Sequence, residues 1–245
     1  MLDDLDIDPK QFPPRALLGV GSHAKNNRWT PAQFAERTET YREEVAARVY
    51  EAYESALLRS NAVDFDDLLL KTFMLFEGYP EVLEKYQQRY EHLLVDEFQD
   101  TNPLQFQIAR LLALKNRNIC VVGDPDQSIY SWRHADPANL TDFQATFKGT
   151  KIVKLDQSYR STQIILEAAD AVIGNNDDRM EKELWTENSR GNRVIVAEAY
   201  NEEEEARLVL EETARLRQKE GIGQNEIAVM YRVNAQSRAF EVACN

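Results

Sequence analysis

Three short strand-like runs, two of them unbroken and apolar and the third interrupted by Lys154, each end in acidic or amide-bearing residues and constrain this chain more than any other feature. They are Leu93-Leu94-Val95 before Asp96-Glu97, Ile119–Val122 before Gly-Asp-Pro-Asp, and Ile152–Leu155 before Asp156-Gln157. An unbroken apolar run of this length suits a buried parallel strand, and polar residues at its C-terminal end suit the edge where α/β sheets bind ligands. Helical patterns separate the runs: Pro103 to about Ala113, then a helix-rich stretch reaching Phe147. Beyond them the sequence predicts a helix Thr162–Ile173 capped by Ser161, a strand Val194–Ala199, a helix Glu202–Glu220 closed by Gly221, and a strand Ile227–Tyr231. From His92 onward the chain reads as α/β.

The first third reads differently. Residues 1–28 are expected to be irregular, punctuated by Pro9, Pro13, Pro14 and the segment Gly19-Val-Gly-Ser-His23. Thr30-Pro31-Ala32-Gln33 has the chemistry of a helix start, a capping threonine, proline at the first helical position and glutamine to close a capping box. Phe34, Tyr41, Val45, Val49, Tyr53 and Leu57 then follow close to helical spacing, which predicts one helix to about Arg59. Asp64 is expected to cap a second helix and Pro80 to begin a third. The expected organisation is a helical region over 1–90 and portions of two α/β units over 91–150 and 151–245.

No stretch approaches the roughly 20 consecutive apolar residues of a membrane span, and the acidic start MLDDLDIDPK is unlike a secretory signal. A soluble, cytoplasmic protein is the expectation. Cys120 and Cys244 are too few and too separated for a disulfide framework or a four-ligand zinc site, and Cys120, inside an apolar run, is expected to be a buried small hydrophobe. The net charge of −13 argues against a broad basic surface for nucleic acid. DNA binding, if present, would rest on base stacking and a few placed cations.

Leu-Leu-Val-Asp-Glu at 93–97 has the Walker B arrangement, a buried strand ending in adjacent acids. Asp96 is placed to hold Mg²⁺, directly or through water, and Glu97 to orient and deprotonate an attacking water. Gln99 and Asp100 follow as polar groups able to make a nucleotide-dependent contact between domains. In the second run, Val-Val-Gly-Asp-Pro-Asp-Gln-Ser-Ile-Tyr-Ser-Trp-Arg at 121–133, Asp124 and Gln127 would stand beside the first pair of acids. Gln127, being uncharged, can sense a γ-phosphate oxygen or the lytic water. Tyr130, Trp132 and Arg133 suit base stacking and phosphate contact. In the third, Leu-Asp-Gln-Ser-Tyr-Arg-Ser-Thr at 155–162, Arg160 can act as an arginine finger and Tyr159 can stack on a base.

Taken together, these three elements resemble the second, third and fourth motifs of the UvrD/PcrA/Rep family of superfamily 1 DNA helicases. The resemblance extends to VDFDDLL at 63–69, LWTENSRG at 184–191 and MYRVNAQSR at 230–238. It implies a helical subdomain of the kind called 1B, followed by portions of two RecA-like P-loop NTPase domains, 1A and 2A, with ATP between them. It also implies an ATP-driven motor on single-stranded DNA that unwinds duplex with 3′-to-5′ polarity, with repair or replication proteins as possible partners. By resemblance, Asp96 and Glu97 serve Mg²⁺ and water activation, Gln127 reads the γ-phosphate and Arg160 stabilises transition-state charge. Tyr159 stacks on the adenine, while Tyr130, Trp132 and Arg133 work on the DNA side. Two positions depart from the family's pattern: Phe98, where tyrosine is also common, and His134, where glycine is usual and the backbone turn is therefore in question.

A phosphate-binding loop of the form G-x-x-x-x-G-K-[ST] is absent from the sequence; the only lysine followed by serine or threonine is Lys71, with no glycine before it. The chain also stops inside an expected helix, Ala235–Ala243, without a cap. An internal fragment of a helicase, inactive by itself, is the expectation. The alternatives are a non-catalytic module that binds DNA or a protein, and part of a helicase–nuclease subunit.

Overall fold

The first α-helix begins at a proline. In the computed structural model, which describes residues 2–176 and 182–244, Pro14 occupies the first turn of α1 (Pro14–Asn26). The expectation of an irregular segment over 1–28 is corrected for residues 14–26: at the first helical position proline loses no hydrogen bond, and it starts the helix. Gly21, which looked like a breaker, lies under the Tyr50 ring, where an added Cβ would sit 3.6 Å from the ring.

Helix α2 (Pro31–Ala35) begins with the predicted capping box of Thr30 and Gln33, but it ends after five residues. A second box formed by Thr40 and Glu43 starts α3 (Tyr41–Arg59), so the single helix expected to Arg59 is two. The side chain of Thr40 competes for the backbone there, and the common apolar periodicity hides the break. Asp64 caps α4 (Phe65–Gly78), with Asp67 completing the box, and Pro80 opens α5 (Pro80–Arg89). Ile7, Phe12, Leu17, Phe34, Val45, Val49 and Tyr50 form the core of this helical region.

Strand β1 (Leu93–Val95), helix α6 (Pro103–Ala113) and strand β2 (Ile119–Val121) make a β–α–β unit, with Leu93 opposite Ile119 and Val95 opposite Val121 in parallel register. Helix α7 (Asn139–Thr146) follows. Phe98, Phe106, Phe143 and Phe147 fill the space against the sheet residues Leu93, Val95, Ile119 and Val121. A pleat sends alternate side chains to opposite faces, so Leu94 and Cys120 point the other way, and both are exposed. Cys120 is therefore not the buried hydrophobe its apolar neighbours suggest. Leu70 and Phe73 of α4 pack on Leu104 of α6, which fastens the helical region to the β–α–β unit.

The chain divides into two compact units, one of Met1–Asp156 and Ile173–Glu183, the other of Gln157–Val172 and Leu184–Asn245. The second contains α8 (Gln163–Ile173) up to Val172, α9 (Glu202–Arg215) and α10 (Ser237–Ala243). Helix α9 runs into a π-helical turn, Leu216–Glu220, that Gly221 closes at φ 71°, as its role of terminator requires. The three remaining expected strands are corrected. Residues 152–155, 194–199 and 227–231 form no ladder among the described residues, and Val196 is 93% exposed. β-propensity supplies side chains that fit a sheet; a strand also needs a hydrogen-bonding neighbour.

Candidate active site

The two parallel strands bring their C-terminal tips side by side. The Val122 amide donates to the Val95 carbonyl at 2.8 Å, and the Phe98 amide donates to the Val122 carbonyl at 2.9 Å. Asp96 and Glu97 are exposed immediately beyond β1, and the Glu97 amide donates to Asp96 Oδ1 at 2.9 Å. Glu97 holds a left-handed backbone at φ 51°, ψ 42°, a conformation that costs a non-glycine residue about 1–2 kcal/mol. Such strain persists only where the surroundings impose it.

Backbone bonds on either side hold this tip, and the Gln99 side chain adds to them. That side chain is 1% exposed. Gln99 Nε2 donates to Glu97 Oε2 at 2.8 Å, while Gln99 Oε1 accepts from the Asp124 amide at 3.0 Å. The polar residue expected to face another domain is thus buried between the two tips. The tips approach this closely because residue 123 is glycine. An added Cβ there would lie 2.7 Å from Gln99 Oε1 and 3.2 Å and 3.3 Å from the backbone nitrogens of Phe98 and Gln99. Gly123→Ala is accordingly expected to cost about 1–3 kcal/mol, lowering the melting temperature by roughly 2–12 °C in a thermal denaturation. An unchanged melting temperature would show that the tips separate freely.

Beyond β2, Asp124 caps a short 3₁₀ turn, Pro125–Gln127, and its Oδ2 accepts from Gln127 Nε2 at 2.8 Å. Lys182 pairs with Asp124 Oδ1 and, at 2.8 Å, with Asp126 Oδ2. Burial pushes the Asp124 carboxyl up, but the bonds from Lys182 and Gln127 outweigh it and hold the group below the usual carboxylate range. Lys182 responds in the opposite sense: burial lowers it, and the two carboxylates hold it above the usual lysine range. Sequence reasoning passed over Lys182, which stands two residues ahead of LWTENSRG with no local sign of its partners.

Further along, Tyr130 and Trp132 place their rings 6.0 Å apart, and the Arg133 guanidinium lies over both, 4.6 Å from the Trp132 ring and 5.6 Å from the Tyr130 ring. Trp132 is 60% exposed, so this group is a surface of π-faces with a cation on it and not core filling. His134 adopts φ 63°, the left-handed turn that glycine makes at lower cost.

Tyr159 and Arg160 belong to the second unit, and both are exposed. Their segment is held by LWTENSRG: Gln157 bridges Trp185 in parallel, the Thr186 hydroxyl donates to the Ser158 carbonyl at 2.7 Å, and Asn188 Nδ2 donates to the Ser161 carbonyl at 3.1 Å. Two motifs whose bonded residues lie 27 and 28 positions apart in sequence are therefore one structural element.

A parallel β–α–β unit with paired carboxylates at one strand tip and an amide and acid at the next has the construction of the RecA-like cores of superfamily 1 helicases. Comparison with known proteins agrees. The sequence model of the UvrD/REP helicase N-terminal domain matches residues 1–148, and that of the UvrD-like helicase C-terminal domain matches residues 153–245. The chain belongs to the UvrD/REP helicase family. It is 45% identical over 241 residues to the ATP-dependent DNA helicase PcrA of Leuconostoc citreum, covering 98% of this chain and 32% of that protein. It is 44% identical over 241 residues to the ATP-dependent DNA helicase PcrA of Staphylococcus aureus, covering 98% of this chain and 33% of that protein. The chain thus spans about a third of the length of the curated relatives it matches. Among the described residues, no helix is long and apolar enough to cross a membrane.

Proposed function

We propose that this chain is part of a motor that hydrolyses ATP to move 3′-to-5′ along single-stranded DNA and unwind duplex. The observation that carries this reading is the Gln99 bridge, which sets Glu97 and the Asp124–Gln127 turn side by side on adjacent strand tips. The oxygen donors there suit a hard divalent cation, and Asp96 is the residue that would hold Mg²⁺. When bound, Mg·ATP supplies the phosphoryl group and the charge neutralisation for its transfer. In this reading Glu97 orients water and takes its proton, Gln127 senses the γ-phosphate, Arg160 serves transition-state charge and Tyr159 the adenine. In this assignment residues 1–90 are 1B-like, 91–150 belong to domain 1A and 151–245 begin domain 2A. The phosphate-binding loop would come from outside these residues, since their sequence holds none.

Tyr130, Trp132 and Arg133 are the DNA-side surface. Base–aromatic stacking contributes about 1–3 kcal/mol per base, so Trp132→Ala is expected to weaken binding of an oligothymidylate by roughly 5–150-fold. Fluorescence anisotropy titrations at two salt concentrations check this. Equal affinity of the variant and the parent chain would remove Trp132 from the DNA surface, and no binding by either would leave the chain without a DNA role of its own.

A further inference from the structure

Resting on the reading of Glu97 as the base, we infer that Gln99 is a positioning residue that sets the base and the γ-phosphate sensor with one buried amide. Three features carry this. The side chain is almost wholly inaccessible, so it meets no ligand directly. Its nitrogen end holds Glu97 Oε2 at 2.8 Å, on a residue whose left-handed backbone needs an external hold. Its oxygen end holds the Asp124 amide at 3.0 Å, and the same residue's carboxylate binds Gln127 Nε2 at 2.8 Å. An amide suits this post because one end donates and the other accepts, so it joins a carboxylate to a backbone N–H with both bonds satisfied. A carboxylate would repel Glu97, and an aliphatic side chain would leave the Asp124 amide unpaired. The close approach at Gly123 belongs to the same device, since a methyl group there would strike Gln99 Oε1. A displacement of the base or sensor by a fraction of an ångström thus passes from one tip to the other through a single side chain.

Two variants separate positioning from packing. Gln99→Met keeps the volume and loses the bonds to Glu97 and the Asp124 amide, along with a longer one to Asp100 at 3.5 Å. Gln99→Glu keeps the acceptor for the Asp124 amide and sets a like charge against Glu97. In a polypeptide joining these residues to a phosphate-binding loop, both are expected to lower kcat for ATP about 10–100-fold, as loss of a group that orients a catalytic side chain does, with KM changed by less than about twofold. Independently of nucleotide, hydrogen exchange at the Asp124 amide in the 245-residue chain should quicken about tenfold or more in Gln99→Met and stay near the parent rate in Gln99→Glu. Glu97→Gln is measured alongside. Should it hydrolyse ATP like the parent, the reading of Glu97 and this inference fall together. Should it be inactive while Gln99→Met retains the parent's kcat and Asp124 exchange rate, this inference alone is overturned.

Discussion

In a polypeptide that joins these residues to a phosphate-binding loop, Glu97→Gln is expected to cut ATP turnover by about 10²–10⁴-fold, the usual worth of a positioned general base. Nucleotide affinity should change little, because in the proposed reading the phosphates would be gripped by the loop and the cation by Asp96. The substitution isolates proton chemistry from geometry. Glutamine keeps the length of the side chain, and its oxygen still accepts the 2.8 Å bond from Gln99 Nε2, so the left-handed tip is retained. What is lost is the ability to take a proton from water. Steady-state phosphate release measures the turnover, and equilibrium nucleotide binding to the variant measures the affinity. The 245-residue chain by itself is expected to release no phosphate above background. A Glu97→Gln protein as fast as its parent would remove Glu97 from this role.

The second large effect lies in the helical region and concerns stability. Lys25, on α1, is 1% exposed and its ammonium meets three carboxylates: Glu54 of α3 at 2.6 Å, the capping Asp64 at 2.8 Å and Asp67 of α4 at 3.0 Å. Lys71 reaches the other oxygen of Asp67 at 3.1 Å, so two cations serve three acids. Three helices are tied at this one ammonium. Burial alone would depress Lys25, yet its bonds to Asp64, Glu54 and Asp67 raise it well above the ordinary lysine range. Burial likewise pushes Asp67 up, and Lys25 and Lys71 together bring it below the usual carboxylate range. Lys25→Met is expected to cost about 3–5 kcal/mol, since it leaves buried charge uncompensated, and to lower the melting temperature by roughly 6–20 °C.

The pH dependence follows from the direction of each shift. In the parent chain, Asp67 is depressed on folding, so its contribution is present above about pH 4, the unfolded carboxylate value, and is lost as pH falls through the lower folded value. Lys25 is raised on folding, so its contribution is complete below about pH 10.4, the unfolded lysine value, and is lost only as pH rises beyond that. In Lys25→Met the buried Asp67 carboxylate loses one of its two cations while its burial remains, so the penalty applies at neutral pH and fades as acid protonates it. The gap in melting temperature between parent and variant is therefore widest near neutrality and narrows toward about pH 4. A small gap that did not change with pH would show that the cluster is not held by charge.

How much of this was legible in advance differs from element to element. Capping chemistry was read correctly where one residue type and one spacing suffice, as at Thr30–Gln33, Asp64 and Gly221. The same logic applied to Thr40–Glu43 would have divided the long helix, but six apolar residues in phase across the break masked it. Strands were harder. Leu93–Val95 and Ile119–Val121 find each other as partners, whereas residues 152–155, interrupted by Lys154, have no ladder among the described residues. Cys120 shows the same limit one residue at a time: its neighbours in sequence are apolar, but which face of a two-stranded sheet is covered depends on where α6 and α7 pack.

The sequence by itself determined the chemistry on offer: two acids after one apolar run, an acid and an amide after the next, two aromatics and an arginine beyond them, and the family these imply. Those are properties of residue types at short spacing, where the backbone leaves few alternatives. Only the tertiary structure decided that Gln99 lies between the tips, that Gly123 lets them meet, that Lys182 pairs with Asp124, and that Lys25 gathers acids from two other helices. Each of these pairings spans many residues of chain. Their energies come from burial and close contact, which exist only once the intervening chain has packed.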